Sequence, residues 1–136
     1  LYKFVQLAYG DQDLRSQAIV RERFEGATLE EAEELWIRKG QISTEMHRSI
    51  IKAYGQQKLS RAKSASDVIR IARNMRDEAL SVDMHTLIAS ELSDIFITAK
   101  KRDDPLFSDF TIVDLCVLAG LSRPEAEMLA DEVNSD

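Results

Sequence analysis

Apolar residues recur at helical spacing along nearly the whole chain, and this periodicity constrains the fold more than any other feature. Only five glycines and two prolines interrupt the 136 residues, which is few for a chain of short strands and tight turns. We therefore predict an all-α fold of six or seven helices in a compact orthogonal or bundle-like arrangement. The length predicts one domain over residues 1–136. Because the first residue is Leu1 rather than Met, we expect a fragment or a trimmed chain.

Capping residues and breaks set the predicted helix bounds. Thr28 and Glu31 have the spacing of a capping box, and Ser64 and Ser66 offer N-cap oxygens to the helix that follows them. Pro105 disfavours a helical conformation at the residue before it, so residues 103–106 form the clearest break and a candidate sub-boundary. The predicted helices cover residues 12–24, 28–39, 43–63 (as one helix or two), 66–80, 84–101, 109–119 and 122–133. Residues 2–9 fit either a short helix or a strand.

The segment 84–101 is the most apolar of the predicted helices, with Ile88, Leu92 and Phe96 on one side. This pattern predicts either a central core helix or a helix shared between a core and a subunit interface. Phe107 and Phe110, beside the proline break, are either core residues or an exposed docking patch.

Charge is divided by region. Residues 38–76 carry ten basic side chains and two acids, a net charge of +8, whereas the remainder carries eight basic and 22 acidic residues, a net charge of −14. An acidic chain with a concentrated cationic centre indicates one surface suited to an anionic partner. The candidate nucleic-acid-binding residues are the cations that helical spacing places on neighbouring faces: Arg48, Lys52, Lys58, Arg61, Lys63, Arg70, Arg73 and Arg76.

This cationic surface has three interpretations. If the helices of residues 43–63 and 66–80 pack as an antiparallel hairpin, both basic faces lie on one side and can neutralise the phosphates of a nucleic acid. The same surface also suits an acidic protein. Alternatively, the cations pair with the acidic helices within residues 11–34 and 77–94, and the surface is neutralised internally.

The C-terminal residues 114–129 resemble the helix-turn-helix pattern. Cys116 supplies the small residue of the first helix, Gly120 the turn, Leu121 the apolar residue after it, and Ser122 the cap of the second helix. That second helix carries mostly acidic residues, and such a helix would be repelled by a phosphate-lined groove. A helical hairpin that packs on its neighbours or docks a protein therefore fits better than a DNA-reading element. Its acidic residues are Glu125, Glu127, Asp131 and Glu132.

The sequence predicts no catalytic site, metal site or cofactor. In both Glu45-Met46-His47 and Asp83-Met84-His85 the acid and the histidine are two residues apart, which places them on different helix faces. Metal-binding helices use a spacing of three or four residues. Neither a glycine-rich phosphate loop nor a nucleophile elbow occurs in the sequence.

The single cysteine, Cys116, lies in an apolar run, so we expect a buried core position rather than a reactive thiol. A chain that cannot form an internal disulfide and has no Cys/His cluster is typical of a reducing compartment, and we predict a cytoplasmic protein. No apolar run is long enough to span a membrane, so we expect no membrane partner.

These patterns predict a non-enzymatic intracellular binding module that uses the basic face of residues 48–76. Its most concrete role is that of a nucleic-acid-binding accessory or regulatory protein, for example in transcription, replication or packaging. The alternative is a protein-interaction or assembly module, including a homo-oligomer, with no affinity for nucleic acid.

Overall fold

The computed structural model describes residue 24 and residues 26–134. Every regular element in this part of the chain is helical, which confirms the all-α prediction. The six α-helices described are α1 (Leu29–Ile37), α2 (His47–Ser60), α3 (Ala65–Asp77), α4 (Val82–Lys101), α5 (Ile112–Leu118) and α6 (Arg123–Asn134). Short 3-10 turns occupy Lys39–Gln41, Thr44–Met46 and Pro105–Phe107. The predicted elements at 2–9 and 12–24 lie outside the described residues, apart from Phe24.

Local sequence explains where these helices begin. Thr28 caps α1 in a complete capping box, in which the Glu31 amide donates to Thr28 Oγ1 at 3.2 Å and the Thr28 amide donates to Glu31 Oε1 at 3.0 Å. Ser64 caps α3 and Ser81 caps α4 through their side-chain oxygens. Segment 43–63, left open as one helix or two, forms a short 3-10 turn followed by the single helix α2, which continues through Gly55.

The chain divides into two compact units, Leu1–Lys58 and Leu59–Asp136. In the first unit, α1 buries Leu35 and Trp36. The Trp36 ring stacks on Tyr54 of α2, with 4.8 Å between ring centroids and 4° between ring planes. Gln57 Nε2 donates to the Ala27 carbonyl at 2.9 Å. Aromatic stacking therefore joins α1 to α2, and the hydrogen bond joins α2 to the segment just before α1. The prediction of one domain over residues 1–136 stays a prediction.

The second unit is organised around α4, which packs against α3, α5 and the Pro105–Phe107 turn, while α6 packs on α5. Buried side chains cover a broad arc of α4, including Ile88, Leu92 and Phe96. Phe107 and Phe110 are also buried, and Phe107 packs edge-on against both Phe96 and Phe110. Both phenylalanines are therefore core residues rather than a docking patch.

Cys116 is fully buried in α5, as the sequence predicted. Ser93 Oγ donates its only hydrogen to the Ala89 carbonyl at 2.7 Å, so the Cys116 thiol donates to Ser93 Oγ across 3.4 Å. Burial raises the pKa of the Cys116 thiol above its ordinary value. The thiol is thus a packing group. None of the helices in the described residues is both long and apolar enough to cross a membrane.

Candidate nucleic-acid interface

The eight predicted cations fall in both units. Arg48, Lys52 and Lys58 belong to the first unit, and Arg61, Lys63, Arg70, Arg73 and Arg76 to the second. Arg48 is exposed, whereas Lys52 and Lys58 are half-buried. The Lys58 ammonium lies 5.9 Å from the centroid of the Tyr54 ring, which attracts it through a cation–π interaction. The predicted hairpin between the two basic helices stays a prediction.

Lys39, which contributes to the charge of the cationic centre, does not face solvent. Its side chain is 7% exposed, its ammonium donates to the Trp36 carbonyl at 3.0 Å, and it lies 4.1 Å from the Trp36 ring centroid. The indole face and the carbonyl replace water around this charge. Charge counts along the sequence could not predict the burial of Lys39, because this residue follows another cation and nothing in its neighbouring sequence distinguishes it from an exposed lysine.

Arginines of α3 form the clearest cationic surface in the second unit. Arg70, Arg73 and Arg76, the α3 arginine row, are spaced three residues apart and extend about 9 Å along the helix axis. Arg70 and Arg73 are exposed, and Arg76 is half-buried. The opposite side of α3 carries the predicted apolar stripe, which is buried at Val68, Ile71, Ala72 and Met75. Packing of that stripe turns the row outward.

The acids that pair with this row belong to α3 itself. Arg70 Nη2 lies 2.9 Å from Asp67 Oδ1, and Arg76 Nε lies 2.9 Å from Asp77 Oδ1. Within the part of the chain that the structure describes, Arg73 makes no ion pair. Exposed pairs of this kind contribute about 0–1 kcal/mol each, so a phosphate can replace them at small cost. Among the described residues, the acids of the segment 77–94 therefore do not neutralise the α3 arginine row, with Asp77 as the one exception.

Asp67 organises the start of α3. Its Oδ2 accepts the Lys63 amide at 2.9 Å while its own amide donates to the Ser64 hydroxyl at 3.3 Å. The Lys63 amide and then the Arg70 guanidinium lower the pKa of Asp67 below its ordinary value of 3.8. One carboxylate thus holds the backbone at Lys63 and the side chain of Arg70 beside the same helix end. The Lys63 ammonium makes no ion pair with a described residue.

A pH prediction follows from this carboxylate. Because folding lowers the pKa of Asp67, its contribution to stability is complete above the unfolded pKa and is lost as the pH falls through the folded pKa. The variant Asp67→Asn should lose that contribution at neutral pH, and its stability should change less between pH 7 and pH 3. Urea midpoints of both proteins at the two pH values measure the difference. An equal acid-induced change in both proteins would contradict the role of Asp67.

A cleft of about 430 Å³ opens in the second unit beside Lys63. One wall is formed by the end of α2 and the turn into α3, and the other by the Pro105–Phe107 turn and the residues around it. The lining residues are Leu59, Ser60, residues 62–65, residues 104–106 and Asp109. Sequence analysis missed this cleft, because its walls lie about forty residues apart in the chain and only the proline break hinted at one of them.

The two histidines are used for structure. His47 is buried, and its Nε2–H donates to the carbonyls of Lys39 at 2.8 Å and Ile42 at 3.2 Å. His85 Nε2–H donates to the Arg76 carbonyl at 3.2 Å, near the end of α3. In the described residues, no group of three or more His, Cys, Asp or Glu side chains is placed to hold a metal ion.

The C-terminal helices α5 and α6 pack on each other around Gly120, which has a φ of 110°. Ser122 and Glu125 form the start of α6, where the Ser122 hydroxyl donates to Glu125 Oε1 at 2.7 Å and lowers the pKa of Glu125. The resemblance to a DNA-reading helix-turn-helix is not confirmed. The acids of α6 (Glu125, Glu127, Asp131 and Glu132) are exposed, and their negative charge would repel the phosphates of a DNA groove.

The chain matches no family model, and comparison with curated proteins and with solved structures finds no significant similarity.

Proposed function

We propose that this protein is a non-enzymatic binding module that contacts an anionic partner, most concretely a nucleic acid, through its cationic surface. The observation that carries the proposal is the α3 arginine row, held outward by the buried stripe of α3 and paired only with acids of α3 among the described residues. Guanidinium groups bind phosphate oxygens through two parallel hydrogen bonds. Such contacts release counterions and depend little on base sequence.

The test is a fluorescence-anisotropy titration with duplex and single-stranded DNA at 50 and 200 mM salt. Exposed ion pairs contribute up to about 1 kcal/mol each, so the double variant Arg70→Ala and Arg73→Ala should weaken binding by about 5- to 30-fold at low salt. The slope of log affinity against log salt should fall by about two, one for each lost phosphate contact. Alanine is compatible with a helix interior, so α3 should remain folded.

The matched control is the double variant Lys101→Ala and Arg102→Ala, which removes the same charge from exposed positions at the end of α4. If binding depends on the α3 arginine row, this control keeps its affinity to within about twofold. An equal loss in both double variants would show that only net charge matters. No binding of any DNA at 50 mM salt would remove the proposal.

The alternative function, a protein-interaction or assembly module, is favoured by one observation. Met128 is 66% exposed on α6, on the side of the helix away from the buried Ala126 and Ala130, and the acids of α6 surround it on that side. Methionine is one of the residue types that are enriched at protein–protein interfaces. A stable oligomer in sedimentation velocity, together with no DNA binding in the titration above, would support this alternative.

A further inference from the structure

Half of the ten residues that line the cleft beside Lys63 are apolar, and the others are two serines, a cation and two acids. Leu59 is buried, while Ala62 and Leu106 are half-buried and leave part of their apolar surface open. Its volume of about 430 Å³ falls within the range of about 300–1,000 Å³ that is typical of sites for small organic groups. A ligand in this cleft therefore has an apolar body as well as charge.

The carboxylates of the cleft favour a ligand that carries hydrogen-bond donors. Asp104 Oδ1 accepts the Leu106 amide at 3.0 Å, and the Asp104 side chain makes no other hydrogen bond with a described residue. Asp109 is exposed and has no hydrogen bond or ion pair with a described residue. Two carboxylates would repel an inorganic phosphate that entered the cleft, but they accept hydrogen bonds from amino groups.

The cleft is also joined to the cationic surface. Lys63 lines the cleft, and its backbone is bonded to the same Asp67 carboxylate that pairs with Arg70. A chain of phosphates that passes Lys63 is thus led towards Arg70 and the rest of the α3 arginine row. A phosphate held by Lys63 would therefore lie beside this cleft and its hydrogen-bond acceptors.

We propose that the cleft binds an unpaired, amino-bearing base of a single-stranded nucleic acid, whose backbone passes Lys63 and continues along the α3 arginine row. Adenine, cytosine and guanine carry an exocyclic amino group that can donate to Asp104 or Asp109, whereas thymine and uracil carry none. The flat faces of the base would pack against Leu59, Ala62 and Leu106, as bases do between apolar side chains in other pockets. This inference rests on the proposed function and specifies its substrate as a single strand.

The experiment compares 12-nucleotide strands of dA, dC and dT with a duplex of the same length, by fluorescence anisotropy at 50 mM salt. We expect dA and dC to bind at least about fivefold more tightly than dT, which corresponds to one good contact with a base edge. Ala62→Phe fills the cleft with a side chain and should reduce the affinity for dA and dC to that for dT. Urea unfolding of this variant verifies that it is folded.

Asp109→Ala gives a second, independent result. It removes one of the two acceptors and a negative charge, so the affinity for dT should rise while the preference for dA and dC falls. The matched control is Asp94→Ala, which removes an exposed acid from α4 outside the cleft and should keep the preference. If all strands and the duplex bind equally well, and neither Ala62→Phe nor Asp109→Ala changes the affinity, the proposed base site in the cleft is wrong but the proposed function stands. Binding of none overturns both.

Discussion

Replacing Gly120 by alanine is expected to lower the free energy of unfolding of the second unit by about 2–4 kcal/mol. Gly120 has a φ of 110°, a backbone conformation that residues with a Cβ rarely adopt. A Cβ at this position would also lie 2.8 Å from His85 Nδ1 and 3.1 Å from Arg76 Cγ. Strain in the backbone and a clash with the imidazole therefore act together where α3, α4 and the α5–α6 turn meet.

Urea denaturation followed by far-UV circular dichroism measures this loss. The single tryptophan, Trp36, belongs to the first unit, so its fluorescence reports there and helps to assign the transition to the second unit. The matched control is Gly40→Ala, at an exposed glycine without a positive φ, where we expect a change of less than about 1 kcal/mol. Equal effects at Gly120 and Gly40 would contradict the explanation.

A double variant separates the two causes. His85→Ala combined with Gly120→Ala removes the imidazole that the new Cβ would meet but leaves the backbone strain. Its destabilisation should be smaller than the sum of the two single variants, and the difference is the steric part. A strictly additive result would mean that strain alone accounts for the effect of Gly120→Ala.

The second large effect is expected at the centre of α4. Leu92 is 2% exposed, and its replacement by alanine should cost about 2–5 kcal/mol, since it removes buried apolar surface and leaves a cavity. The matched control is Leu80→Ala, the same change at a side chain that is 53% exposed, where we expect less than about 1 kcal/mol. Both values come from urea midpoints at 25 °C with the m-value checked for each variant.

A loss below about 1 kcal/mol at Leu92 would contradict the central position of α4. The contrast with Leu80 matters because the two substitutions remove the same side-chain atoms and differ in burial. DNA-binding measurements on both variants also test whether the α3 arginine row depends on the core, because α3 packs on α4.

Much of the fold was predictable because its signals are local. The capping box at Thr28 and the N-cap at Ser64 involve residues three apart in the chain, and both are present as predicted. The stripe of α3 follows from helical spacing alone, which also places the α3 arginine row on the other side. Bounds differ by a few residues where a helix gives way to a 3-10 turn, as after Ile37.

The candidate site was predictable only in part. Helical spacing indicated that Arg70 and Arg73 would be exposed, but the burial of Lys39 against Trp36 depends on a contact that charge patterns do not show. The partner of Arg70 is one that the sequence offers, since Asp67 lies three residues before Arg70 and is the nearest acid to it in the chain. The contribution of the α2 cations to nucleic-acid binding stays a prediction, which DNA titrations of α2 variants can test.

By itself, the sequence determined the helical elements, their caps and the sides of each helix that avoid water, because these depend on neighbours within one or two turns. Only the tertiary structure decided what separate segments form together. It brings Lys63 and Asp109 to one cleft, and it places the imidazole of His85 where Gly120 must have no side chain. The physical reason is that such contacts join residues far apart in the chain, and their positions follow from the packing of whole helices rather than from local spacing.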